Sequence, residues 1–113
     1  MHEMSLCESV LHLIEDSAEI NHFTKVKTVW LEIGSLAAVE PEAMCFNFDL
    51  VMKGTLAEGA KLELIEVPAT AWCAACEKDV EISQRYDGCP YCGETGLALS
   101  GGDEMRIREL EVV

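Results

Sequence analysis

Cys73-Ala74-Ala75-Cys76, then twelve residues, then Cys89-Pro90-Tyr91-Cys92-Gly93: two Cys-x-x-Cys pairs divide this chain. Each pair presents two sulfurs from a tight turn, and two such turns facing each other close a tetrahedron of thiolates around one metal ion. Pro90 stiffens the second turn, and Gly93 can take the positive φ that such a turn often ends on. The surrounding segment has few apolar residues, so bound metal must supply its stability. Structural zinc contributes roughly 10–16 kcal/mol in small peptides. Such a closed four-sulfur site leaves no open position for catalysis. Three other uses of these cysteines compete with zinc. Two disulfides would need an oxidising compartment, and a thioredoxin-type pair would need one motif at a strand–helix junction, not two in opposition. Iron in the same four sulfurs, as in a rubredoxin-like electron carrier, is the serious rival, because tetrahedral thiolate sites accept either metal.

Outward from the cysteines, the flanking sequence predicts one α+β layer. Upstream, Met4, Cys7, Leu11, Ile14 and Ala18 recur at three- and four-residue spacing, which predicts an amphipathic helix from about Ser5 to Ile20. Ser5-Leu6-Cys7-Glu8 fits a capping box, with a start a few residues earlier as the alternative. Lys25 to Gly34 is β-branched and aromatic, with Val29, Leu31 and Ile33 on one face of a strand. Glu40-Pro41-Glu42 opens a second helix, apolar nearly all round through Met52 and therefore expected to be the most buried element. Further strands are expected at about Ala60 to Val67 and at Met105 to Val113. The predicted fold is two helices on a three-stranded sheet with an inserted four-cysteine zinc-ribbon domain. The expected domains are residues 1–69 plus 102–113, and residues 70–101, hinged at Pro68 and at Ser100-Gly101-Gly102. Cys7 and Cys45, on apolar helix faces, are read as packed thiols.

Charge narrows the partners. Against 21 acidic residues there are only eight basic ones, for a net charge of −13. Nucleic acids and anionic membrane surfaces, both bound through lysine and arginine, are disfavoured. No long apolar run or basic leader opens the chain, so a cytoplasmic protein is expected. No nucleophile–base pair suggests an enzyme.

The first three residues carry a second metal chemistry. Methionine is trimmed only ahead of small residues, so Met1 should stay in front of His2 with a free amine. That amine, the His2 amide nitrogen and the His2 imidazole can close two fused chelate rings, a planar nitrogen set suited to Ni²⁺ or Cu²⁺. Glu3, or its amide, could complete the square, and Glu40 could add negative charge from across the loop. The first amides of a helix lack acceptors, so one can give up its proton without breaking a helical hydrogen bond.

Met1-His2-Glu3, the strand Val29-Trp30-Leu31-Glu32-Ile33-Gly34 and the paired Cys-x-x-Cys motifs together resemble the HypA/HybF family of nickel metallochaperones in NiFe-hydrogenase maturation. The HybF branch is nearest, through Met1-His2-Glu3-Met4-Ser5-Leu6-Cys7. The likeness spans the whole chain and is specific only as a combination. It implies nickel cargo bound through His2 with help from Glu3, and a separate structural zinc site. It also implies a hydrogenase-maturation GTPase as partner and delivery to the hydrogenase large subunit precursor. Some family members also serve urease. One departure stands out: relatives can carry histidines beside the zinc cysteines, whereas the three histidines here are His2, His12 and His22. A zinc-ribbon scaffold with no second metal is the remaining alternative.

Overall fold

The computed structural model describes residues 3–113. Helix α1 (Glu3–Asn21) leads into strand β1 (Val26–Gly34), helix α2 (Pro41–Val51) and strand β2 (Lys61–Val67). Three short strands follow, β3 (Ala69–Cys73), β4 (Lys78–Ile82) and β5 (Ala98–Gly101), and β6 (Met105–Val112) closes the chain. Because α1 already includes Glu3, Ser5 and Glu8 lie inside the helix and do not form its cap. Its end is marked by His22, which takes a φ of 59° while its amide bonds the Ala18 carbonyl at 2.8 Å.

Two helices lie on a three-stranded sheet of order β2-β1-β6. Hydrogen bonds at the strand ends give the directions. Val26 N–H reaches Leu56 O and Ser35 N–H reaches Val67 O, so β1 and β2 run parallel, joined by the α2 crossover. Gly34 N–H reaches Glu104 O and Val113 N–H reaches Lys25 O, so β6 runs antiparallel to β1.

The chain divides into two compact units. The first comprises the residues through Leu31, Val39–Ile65 and Arg106–Val113. Its buried side chains come from α1 (Cys7, Val10, Ile14), β1 (Val26, Val29, Leu31) and α2 with its cap (Met44, Phe48, Met52). Burying each of the larger ones contributes about 1.5–3 kcal/mol. Thr28, the buried polar residue here, donates its hydroxyl to Glu111 Oε1 at 2.8 Å, so its burial leaves no orphan.

Helix α2 departs from expectation. Only Met44 and Phe48 of its residues are buried, a single stripe at i and i+4, while Phe46 is 65% exposed and Cys45 lies open. An all-round apolar helix does not have to be an all-round buried one. It still needs only one covered face, and α1, with four buried residues, contributes more to this core. Cys45 is thus not a packed thiol, whereas Cys7 is fully buried, with its Sγ donating to Met44 O at 3.6 Å.

The second unit comprises Glu32–Ala38 and Glu66–Met105. It has a sheet of its own, order β4-β3-β5, with both neighbours antiparallel to β3. Alternation along β3 sends Ala69, Ala71 and Cys73 inward and leaves Trp72 outward. With Val80, Ile82 and Cys89 they form a small core, covered by Leu36, Leu97 and Leu99. The expected hinge at Ser100-Gly101-Gly102 is not a loose linker. Ser100 and Gly101 belong to β5, the Ser100 hydroxyl bonds Thr70 Oγ1 at 2.9 Å, and Gly102 packs against Ala69.

Candidate metal centre

Each Cys-x-x-Cys pair is held by a different piece of backbone. Cys73 is the last residue of β3 and pairs in register with Lys78, the first of β4, so the first motif is the turn of a hairpin. Glu77 closes that turn at a φ of 52°. The second motif lies in the loop between β4 and β5. There the Asp87 carboxylate accepts from the amides of Ser83 and Gln84, both at 3.0 Å, which curls the chain towards Cys89. Cys89 N–H bonds Glu94 O at 2.8 Å and Gly93 N–H returns to Cys89 O at 2.9 Å, with Gly93 at a φ of 77°. Lys78 Nζ sits 3.9 Å from the centroid of the Tyr91 ring, a cation–π contact tying the first turn to the second.

These turns converge. The sulfurs of Cys73, Cys76, Cys89 and Cys92 all lie within 4.8 Å of one another. Cys73 Sγ is 3.6 Å from Cys92 Sγ, and Cys76 Sγ is 3.9 Å from Cys89 Sγ. A tetrahedral zinc with bonds of about 2.3 Å sets sulfur–sulfur edges at about 3.8 Å. The four residues therefore fit such an ion. All six cysteines are free, so no disulfide competes for them.

Crowding splits the thiols' acidities. A hydrogen bond with Cys92, then desolvation and contacts with Cys73 and Cys89, push the Cys76 thiol up to about 12. Desolvation also works to raise Cys89, but the amides of Cys92 and Tyr91 outweigh it and bring that thiol down to about 6. Cys89 thus ionises before Cys76, and a metal entering has to displace the Cys76 proton. Affinity for the ion must fall as the pH is lowered.

The two turns differ in one respect. Both end on a residue of positive φ, but where the second has Gly93 the first has Glu77, whose side chain opposes a φ of 52°. Glu77→Val, β-branched, is expected to destabilise the loaded turn by about 1–2 kcal/mol and to speed metal loss to a chelator. Glu77→Gly is expected to leave it unchanged or slower. A faster loss in the glycine variant would show that the turn is not strained.

At the other candidate site, Met1 and His2 lie outside the described residues. Glu3 is described, and its Oε2 accepts from the Glu40 amide at 3.2 Å. Glu40 in turn is the N-cap of α2, its Oε1 taking the Glu42 amide at 3.4 Å. So Glu3 and Glu40, 37 positions apart, meet where the two helices begin. His12 is exposed and lies 3.8 Å from Glu15 on α1. Among the described residues, the four cysteines are the one group of metal-ligand side chains, and no histidine joins them. Also among these residues, no helix is long and apolar enough to cross a membrane.

A family described as "Hydrogenase/urease nickel incorporation, metallochaperone, hypA" matches residues 1–112. The hydrogenase maturation factor HypA of Albidiferax ferrireducens is 56% identical over 99% of both chains. A HypA 2 of Bradyrhizobium diazoefficiens is 55% identical over the same shares. In three dimensions the chain is similar to the solution structure of the Ni metallochaperone HypA from Helicobacter pylori. The TM-score is 0.78 at 25% identity, over 100% of this chain and 98% of that one.

Proposed function

The chain belongs to the HypA family of nickel metallochaperones in hydrogenase maturation, and on that premise we propose how its two metal sites divide the work. Cys73, Cys76, Cys89 and Cys92 hold a structural zinc ion that keeps residues 70–101 folded. Ni²⁺ is cargo, taken up by the Met1 amine, the His2 amide and imidazole, and Glu3, at the head of the part formed by residues 1–69 and 102–113. The protein passes it on during NiFe-hydrogenase maturation, working with a maturation GTPase and delivering to the large subunit precursor in the cytoplasm. It catalyses no reaction itself. No observation favours an electron carrier with iron in the four sulfurs.

The observation that supports this reading of the N-terminus is the Glu3–Glu40 link. The Glu3 carboxylate, on the residue bonded to His2, reaches the backbone amide of Glu40, whose own carboxylate caps α2. These carboxylates offset the repulsion that a dication would feel from the positive ends of two helices. A site of this kind, made of terminal donors and not of a buried cage, can load and release.

Nickel titration of the untagged protein is the test. His2→Ala and a Gly-Ser extension ahead of Met1 are each expected to weaken nickel binding by at least about tenfold, the scale of roughly 1.4 kcal/mol. Zinc content should not change. An extension placed after Val113 should have no effect. Affinity should also drop between pH about 7.5 and about 6, as imidazole and amine take up protons. Native affinity in the extended protein, with binding lost in His2→Ala, would remove the amine from the ligand set and leave a site built on His2 and carboxylates.

A further inference from the structure

The second unit carries a groove of about 600 Å³ that the zinc site does not use. Its size falls within the range of about 300–1,000 Å³ typical of ligand sites. Pro68 and Pro90, both exposed, give it apolar surface beside the buried Ala69 and Ile82. Glu66 and Glu81 line it with carboxylates, and Tyr91 with an aromatic ring that Lys78 holds in place. Among the described residues, no lysine, arginine or histidine lines it. Neither Glu66 nor Glu81 forms an ion pair among the described residues.

This combination selects its occupant. Two unpaired carboxylates on a chain of net charge −13 repel phosphates, nucleotides and acidic peptides. A bare metal ion is not favoured, because these carboxylates belong to no cluster of three ligand groups. Apolar surface beside carboxylates matches a side chain with an aliphatic stem and a cationic head, above all arginine, whose planar fork pairs with carboxylates. We propose that this groove docks an arginine-bearing segment of a partner protein, its stem against Pro68 and Pro90 and its guanidinium between Glu66 and Glu81. The inference is independent of where nickel binds. It gives the second unit a recognition task in addition to the metal that folds it.

The test uses the zinc-loaded full chain and a blocked peptide, acetyl-Gly-Arg-Leu-Arg-Gly-amide, with a citrulline version as the uncharged control. Amide shifts in a ¹⁵N spectrum should move at Ser35, Ile82, Ser83 and Tyr91, and the citrulline peptide should move them little. Glu66→Gln with Glu81→Gln is expected to weaken binding at least about fivefold. Glu19→Gln with Glu58→Gln changes net charge equally on the first unit and should leave affinity within about twofold. Unchanged zinc content and unchanged shifts away from the groove confirm that each variant is folded. Equal weakening by both pairs would show diffuse attraction to an acidic protein and overturn the proposal. Shifts centred elsewhere, equal binding of the citrulline peptide, or no binding at millimolar peptide would overturn it too.

Discussion

Replacing any one of Cys73, Cys76, Cys89 or Cys92 by Ala is expected to release zinc and to abolish amide protection across residues 70–101. The second unit's buried core consists of Ala69, Ala71, Cys73, Val80, Ile82 and Cys89. Two of those six are proposed zinc ligands, and two are alanines, so apolar burial alone contributes little. Bound metal, at roughly 10–16 kcal/mol in small peptides, stabilises such a fold far more. Loss of one sulfur also strands three crowded thiols that had been held together by the ion. The first unit has its own core in Ile14, Leu31, Met44 and Phe48 and should keep its protection. Hydrogen exchange on the Cys73→Ala protein, read residue by residue, checks both halves of the expectation. Equal loss along α1 would mean that the two units fold as one.

Gly34→Ala is expected to destabilise the zinc-loaded protein by about 3 kcal/mol or more. A Cβ at Gly34 would lie 2.1 Å from Gly102 O, 2.2 Å from Gly102 C and 2.7 Å from Asp103 N. All three are backbone atoms, so no rotamer change makes room. The same backbone is tied down by Gly34 N–H to Glu104 O and Leu36 N–H to Gly102 O, both 2.8 Å. Separation of the strands would break them. Gly102 cannot yield, since it sits at a φ of 93° with its own pro-Cβ direction filled by Ala69. For a domain of this size the loss corresponds to a fall in melting temperature of at least about 10 °C. Gly96→Ala is the comparison: nothing lies within 4 Å of its Cβ position, and only its φ of 69° opposes the change. A fall of about 1–2 kcal/mol is expected there. Equal shifts in the two variants would refute the packing argument.

Much of the fold is legible in the sequence because it rests on local signals. The stripe Cys7–Ile14 and the alternation Val29-Leu31 each name an element and the side it buries, and the Pro41 start names a helix. The Cys-x-x-Cys spacing names the metal site outright, and the four sulfurs do meet. What the sequence does not disclose depends on distant partners. Helix α2 reads as apolar all round, and nothing local says that only the Met44–Phe48 side will be covered. The short strands β3 and β5 carry little local signal, because three of their residues are alanine and one is glycine, in which strand propensity is weak, and each strand is brief. Ser100-Gly101-Gly102 looks like a linker on composition. Gly102 instead lets backbones approach, which only the neighbours at Gly34 and Ala69 make apparent.

The Glu3 carboxylate is already engaged before any cargo arrives, since it accepts the Glu40 amide. Under the proposed nickel site, a metal that recruits this carboxylate through Oε2 has to take that oxygen from the start of α2, and a metal that leaves hands it back. Loading would then be opposed, and unloading assisted, by the same small restoring force, of the order of one charge-assisted hydrogen bond, about 1.5–3 kcal/mol. The Glu40 amide becomes a built-in gauge of occupancy. Its proton resonance should shift and its solvent exchange quicken on adding nickel, and a Glu40 signal indifferent to nickel would mean that Glu3 Oε2 is not a nickel ligand.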